Sequence, residues 1–268
     1  MLQRLNTIVV EKPWGRTDIP QDFGDFGGRR IGEIWFGHPT GDAAPIMVKF
    51  LFTSERLSIQ VHPDDDAAQA AGFPRGKEEC WLILDAQAGA ELGVGLTAET
   101  RRDALHTAAL DGTIVDMVDW RPSKANDFVY NRAGTIHAIG GGLTVVEVQQ
   151  NVDCTYRLYD YGRPRELHLD AGLMVSTLGP VHDRRDTVVD PAATRMLVSG
   201  PHFFLAHLAG PVDPARIERP KGELTFVPLS GGCRAAGNAV SLGEAVLLDD
   251  PSLITIEPGG RALLAWAA

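Results

Sequence analysis

Residues 227–260 read VPLSGGCRAAGNAVSLGEAVLLDDPSLITIEPGG, short apolar runs separated by glycine-bearing turns. That cadence predicts short antiparallel strands, the pattern of a small barrel or sandwich. The flanking runs HFFLAHL (202–208), ELTFVPLS (223–230), AVLL (245–248), LITIE (253–257) and ALLAW (262–266) extend it to the C-terminal end. Upstream, IMVKFLF (46–52), LSIQVH (57–62), CWLIL (80–84), DFVY (127–130), LTVVEVQ (143–149) and TYRLYDY (155–161) repeat it. Between the two series lies the polar stretch GPVHDRRDTVVDPAAT (179–194), which reads as a connection. The expected fold is mainly β: a first barrel over about 1–165, a connection over 166–200 and a second barrel over 201–268. Few helices are expected. Thr97 is placed to cap one that runs to about Leu110 and stops at Gly112, Thr113 to cap a short one through Val118, and Asp65–Ala71 can form a turn or two.

Whole-chain properties narrow the function. The 268 residues suffice to bury a core, and 44% apolar with 22% charged residues is an ordinary globular balance. A formal charge of −10 repels nucleic acid and anionic membranes, so neither is an expected partner, and an anionic substrate needs a local basic pocket. No run approaches the roughly 18 apolar residues of a membrane span. The N-terminal MLQRLNTIVVEKPWG carries no small-residue cleavage signal, and Cys80, Cys154 and Cys233 lie far apart and are odd in number. Both features predict a cytoplasmic protein with reduced thiols.

The chemistry crowds into the first half. Strand alternation puts Ser58, Gln60 and His62 on one face and Leu57, Ile59 and Val61 on the other. In GKEECW (76–81), Lys77, Glu79 and Trp81 share a face, and Cys80 turns away as a small buried hydrophobe. In AGTIHAIGGG (133–142) a glycine turn delivers His137 to the start of a strand. Together Gln60, His62, Glu79 and His137 offer an amide oxygen, a carboxylate and two imidazoles. Such a mixed set suits zinc with open positions, and would also accept manganese, iron or cobalt. The absence of a thiolate argues against a closed structural site.

These motifs, with KPWGR (12–16), GEIWFGHP (32–39), LSIQVHPDD (57–65) and TYRLYDYGR (155–163) in the same order, resemble type I mannose-6-phosphate isomerases of the short bacterial form. The resemblance covers roughly residues 8–165. It implies two cupin (jelly-roll) barrels without an inserted helical domain, one zinc per chain in the first, and a sugar phosphate as partner. It puts the zinc ligands at Gln60, His62, Glu79 and His137, the active-site arginine at Arg157 and the active-site lysine at Lys77. Ser58, Lys49 and Glu147 match polar positions lining the family's pocket. Two departures stand out: longer relatives often carry His-Lys where this chain has Gly76-Lys77, and a proline commonly precedes the Ala-Gly that here follows Asn131-Arg132.

The implied reaction interconverts mannose 6-phosphate and fructose 6-phosphate through a cis-enediol. Zinc supplies the Lewis acid, and with one glutamate ligand the site keeps one formal positive charge for the oxyanion. Arg157 and Lys77 suit the phosphate or the enediolate. The base is left between Glu147 and Lys77. Trp14 and Trp35 read as packing residues, Asp64-Asp65-Asp66 as a helix N-terminal cluster, and His168, His182, His202 and His207 as structural or exposed. The second half lacks the ligand motifs and reads as a metal-free barrel. The competing readings are an iron-dependent cupin oxygenase, which the neutral Gln60 and the cations Lys77 and Arg157 disfavour, and a non-catalytic sugar-phosphate-binding cupin.

Overall fold

The structure, a computed structural model, describes residues 2–41, 44–213 and 222–268. By their contacts the residues group into two compact units, Phe52–Thr187 on the one hand and Met1–Leu51 with Val188–Ala268 on the other.

The N-terminal strands are β1 (Leu2–Arg4), β2 (Asn6–Arg16), β3 (Ile31–Gly37) and β4 (Ile46–Phe52). Next come β5 (Ile59–Val61), β6 (Glu79–Ala86), β7 (Glu91–Leu96), β8 (Val118–Pro122), β9 (Asp127–Asn131), β10 (His137–Ile139), β11 (Leu143–Gln150) and β12 (Tyr156–Tyr159). After β13 (Thr187–Val188), the C-terminal series is β14 (Arg195–Ser199), β15 (Phe203–Ala209), β16 (Leu224–Pro228), β17 (Cys233–Ala235), β18 (Asn238–Ala239), β19 (Val246–Leu248), β20 (Ile254–Ile256) and β21 (Arg261–Ala267). The protein is mainly β, and the apolar runs read from sequence fall on strands with ends that differ by a residue or two.

In the unit that contains the C-terminal strands, a six-stranded sheet has the order β1-β19-β16-β21-β15-β14, and a small sheet pairs β18-β17-β20. The N-terminal β1 pairs with β19, Leu2 opposite Leu248, which is why the chain's beginning groups with its end. Leu208, Leu224, Phe226, Val246, Ile256 and Leu264 pack into this unit's core. None of the sheets closes on itself among the described residues.

The other unit has a five-stranded sheet, β12-β5-β10-β7-β8, and the neighbouring strands β9-β6-β11 of another. One face of the five-stranded sheet is apolar. Ile59, Val61, Ala138 and Leu158 bury there against Leu105, Ala108 and Ala109 of α2 (Arg102–Asp111), Ile114 of α3 (Ile114–Met117) and Leu173 of α4 (Leu169–Val175). Each fully buried Ile or Leu contributes about 1.5–3 kcal/mol. Covering this face with helices commits the opposite one, which carries Gln60, to another purpose.

The helices differ instructively from expectation. The one expected from Thr97 begins only at Arg102, because the Thr97 amide and hydroxyl both bond to the Met117 carbonyl. Gly112 ends it as expected, in the left-handed conformation at φ 87°. Thr113 precedes α3, but its hydroxyl donates to Asp111 Oδ1 (2.6 Å) and caps nothing. Asp64 caps α1 (Asp65–Ala70) by accepting from the Ala67 amide at 2.8 Å, as the acidic cluster suggested. Helix α4 was not expected, since Gly172 sits in its middle. A Cβ there would lie 2.6 Å from Leu158 Cδ2, so close packing onto β12 requires the glycine. No described helix is long and apolar enough to cross a membrane.

Candidate metal centre

Register assembles the site. Gln60 on β5 stands opposite His137 on β10 and also opposite Arg157 on β12, so these three side chains leave the same face of the five-stranded sheet. On the neighbouring strands, Glu79 of β6 lies between Asn131 and Gln149, and Trp81 between Val129 and Glu147. His62 follows β5 directly, and Lys77 precedes β6 with its amide bonded to the Pro63 carbonyl at 3.0 Å.

The donors converge. His62, Glu79 and His137, each 1% exposed, offer ligand atoms that all lie within 4.8 Å of one another. His62 Nδ1 donates to the Cys154 carbonyl at 3.0 Å and His137 Nδ1 to the Thr135 carbonyl at 2.8 Å. Those bonds fix both tautomers and leave both Nε2 lone pairs facing inward. His62 Nε2 is 3.3 Å from Glu79 Oε2, and His137 Nε2 is 3.4 Å from Glu79 Oε1. Two buried imidazole lone pairs aimed with a carboxylate at one point fit a divalent cation of the zinc class.

Electrostatics agree with that use. Burial, and then the Lys77 ammonium, push the His62 imidazole down to about 3. Burial lowers His137 as well. For Glu79, burial alone would raise the pKa, but Lys77 and His62 outweigh it and hold the carboxyl well below its usual range. Neutral imidazoles and an ionised carboxylate are the protonation states that bind a metal.

Gln60 lies beside these three donors. Its Nε2 stands 3.3 Å from His137 Nε2, while its Oε1 accepts from the Ser58 hydroxyl at 3.1 Å. A half-turn of the amide exchanges the two ends, and the Ser58 hydroxyl can accept as readily as donate. Ser58 thereby orients the amide and is itself buried.

The other sequence candidates fall into two groups. Lys77 is in the centre, its Nζ 3.0 Å from both Glu79 Oε2 and His62 Nε2. Glu147 is one step out: its Oε2 accepts from Trp81 Nε1 at 3.1 Å, and the Trp81 ring lies 5.4 Å from that of His137. Arg157 shares the face of Gln60, with Nη1 bonded to the Glu166 carbonyl at 2.7 Å and a buried Nε that has no hydrogen-bond partner among the described residues. Lys49 is on β4 opposite Trp35, in the other unit.

Sequence reasoning missed two neighbours. Asn131 Nδ2 donates to Glu79 Oε1 at 3.1 Å, a contact hidden in the YNRAG turn and visible only through the β6–β9 register. His168, read as structural or exposed, accepts the Arg157 amide through Nδ1 at 3.2 Å, while its own amide bonds to the Arg157 carbonyl at 2.7 Å. The turn without proline is nonetheless held, by Gly134 N to the His62 carbonyl (2.8 Å) and Thr135 N to the Arg132 carbonyl (3.1 Å). Gly134 is at φ 82°, and a Cβ there would meet the Val175 carbonyl oxygen at 3.0 Å. Gly134→Ala is expected to cost about 1–2 kcal/mol from the left-handed backbone alone, read as a lower urea midpoint at unchanged slope.

Comparison with known proteins places this architecture. No family model matches the chain. A mannose-6-phosphate isomerase of Streptococcus mutans is 35% identical over 240 residues, 74% of this chain and 76% of the relative. Mannose-6-phosphate isomerase ManA of Bacillus subtilis is 38% identical over 174 residues, 60% of this chain and 55% of the relative, so the chain spans about half the length of that protein. In structure, a mannose 6-phosphate isomerase from Bacillus subtilis superposes with a TM-score of 0.81 at 26% identity, covering 99% of both chains. A phosphomannose isomerase variant from Salmonella typhimurium, at 14% identity and a TM-score of 0.72, shares the fold. With over a third of positions identical to the Streptococcus mutans enzyme across three quarters of both chains, this chain belongs to the mannose-6-phosphate isomerase family.

Proposed function

We propose that the protein interconverts mannose 6-phosphate and fructose 6-phosphate in the cytoplasm, with one zinc ion held by Gln60, His62, Glu79 and His137. The observation that carries this reading is the buried convergence of two imidazole Nε2 atoms and the Glu79 carboxylate in a member of this family. We read the open sheets as two cupin-type jelly rolls, the site lying in the first. When bound, zinc supplies a Lewis acid for the carbonyl and hydroxyl oxygens at C1 and C2.

The chain's own residues do the rest. Isomerisation removes the C2 proton of the open-chain aldose, shifts the carbonyl from C1 to C2 and returns a proton to C1. Glu147 is the proposed base: an acceptor carboxylate, buried beside the centre and held in one orientation by Trp81 Nε1. Lys77, ion-paired with Glu79, is in the wrong company for a base and supplies positive charge to the enediolate oxygens instead. Arg157, tied to the Glu166 carbonyl through Nη1 and with a buried Nε that has no hydrogen-bond partner among the described residues, offers its remaining donors to the anionic substrate. Ser58 holds the Gln60 amide in the proposed sugar-phosphate pocket.

The test is an assay of fructose 6-phosphate formation from mannose 6-phosphate with and without chelator, with metal measured on the same sample. Chelator-sensitive turnover restored by zinc, at about one equivalent per chain, is the expected result. A folded, fully metallated protein containing iron and showing no isomerisation would return the iron-dependent alternative to the lead. Zinc bound without turnover of any hexose phosphate would leave a binding protein.

A further inference from the structure

We infer that Asn131 is a positioning residue for the metal-binding carboxylate of Glu79, and that the 183–186 segment holds Asn131 in place for it. The inference rests on the metal-site reading above and adds a residue that the ligand motifs do not contain.

The geometry is specific. Asn131 is 1% exposed, and its Nδ2 donates to Glu79 Oε1 at 3.1 Å. Its own Oδ1 is buried with no hydrogen-bond partner among the described residues. A buried amide with an orphaned oxygen costs stability, and valine would fill a strand position of this kind without that cost. Among the described residues, the hydrogen bond the side chain makes is to Glu79. Asn131 hydrogen-bonds Oε1, and the Lys77 ammonium is ion-paired with Oε2 at 3.0 Å, each oxygen also 3.3–3.4 Å from an imidazole Nε2. A carboxylate fixed in this way does not have to be reoriented when a cation binds.

The residues on either side of Asn131 are tied down as well, Tyr130 through its backbone and Arg132 through its side chain. The Tyr130 amide donates to Asp186 Oδ1 at 2.9 Å, and Arg132 Nε bonds to Asp183 Oδ2. Asp183 also takes both Arg185 Nε (2.7 Å) and Nη2 (2.8 Å), and the Arg185 guanidinium lies 3.2 Å over the Tyr130 ring. The Tyr130 hydroxyl in turn donates to Glu78, the neighbour of Glu79. One polar cluster thus grips the residue before Asn131, the residue after it, and the residue before Glu79.

The test compares Asn131→Val with Asn131→Thr, two side chains of one shape that differ in a hydroxyl donor. Zinc affinity is measured by competition with a chromophoric chelator, alongside the thermal midpoint of the zinc-free protein. Asn131→Val is expected to weaken zinc binding about 10–100-fold, with Asn131→Thr recovering part of the loss at a similar zinc-free midpoint. Equal zinc affinity in wild type and Asn131→Val overturns the inference, and so does an equal loss in the two variants, which would be a packing effect. Should the valine protein not fold, Asn131→Ala against Asn131→Ser makes the same comparison with less strain. A wild-type protein that binds no zinc overturns the inference together with the metal site, a result distinct from either of the others.

Discussion

His137→Ala is expected to lower kcat/KM by about 10²–10³-fold or more and to leave the protein with well under one metal ion per chain. His137 Nε2 is one of three buried donors clustered within 4.8 Å, and its Nδ1 is committed to the Thr135 carbonyl, so no other atom of the residue can substitute. Removing it leaves one imidazole and one carboxylate where burial makes any uncompensated charge expensive. A Lewis acid contributes several kcal/mol of transition-state stabilisation, and 3–4 kcal/mol corresponds to about 10²–10³ in rate. His62→Ala is expected to match it, since His62 Nε2 makes the equivalent approach to Glu79 at 3.3 Å. The decisive pairing is metal content with activity on one sample. Near-normal turnover in a variant that has lost its metal would remove the metal from the mechanism, whereas loss of both with an intact circular dichroism spectrum supports it. Some fall in thermal stability is expected, because the ring packs against Trp81 and His62 at 5.4 and 4.7 Å.

The grouping of His62, Glu79 and His137 was legible because it is written in alternation. Ile59 and Val61 had to face a core if Ser58, Gln60 and His62 faced something else, and the helices α2, α3 and α4 occupy the core side. The same rule turned Cys80 away from Glu79, and Cys80 is indeed buried at 1% exposure. Burial also drives the thiol pKa well up, as a structural cysteine requires. What alternation cannot supply is register between strands distant in sequence. Glu79 and Asn131 are paired only because β6 runs beside β9, and Arg157 meets Gln60 only because β12 runs beside β5. Asn131 therefore looked like part of a turn, and His168 was read as structural or exposed without its link to Arg157.

The helix ends were misread for a related reason. Thr97 has the chemistry of a cap, but the Met117 carbonyl, twenty residues away, takes both its donors. A propensity acts locally, and a tertiary partner outweighed it. Helix α4 shows the converse: Gly172 disfavours a helix by about 1 kcal/mol relative to alanine, yet its missing Cβ lets α4 close on Leu158. The grouping of the N-terminal strands with the C-terminal ones was equally out of reach, since nothing in LQR (2–4) announces VLL (246–248) as its partner.

Glu147→Gln separates the two candidates for the base. Glutamine keeps the shape of the side chain and an oxygen to accept from Trp81 Nε1, so the 3.1 Å contact and the fold survive. It removes only the ability to take a proton. If Glu147 carries the C2 proton, kcat falls about 10²–10⁴-fold, the usual worth of a positioned base, while KM and zinc content stay within a few-fold of wild type. Exchange of the substrate's C2 hydrogen with solvent deuterium is lost in parallel, because that exchange needs the same proton abstraction. Lys77→Met behaves differently. It takes the ammonium from its place 3.0 Å from both Glu79 and His62, so it disturbs metal affinity together with kcat. A Glu147→Gln protein that keeps most of its turnover and its C2 exchange would transfer the proton to Lys77. The ion pair with Glu79 would then have to be broken in every catalytic cycle, which is the physical reason for assigning the proton to the carboxylate beside Trp81.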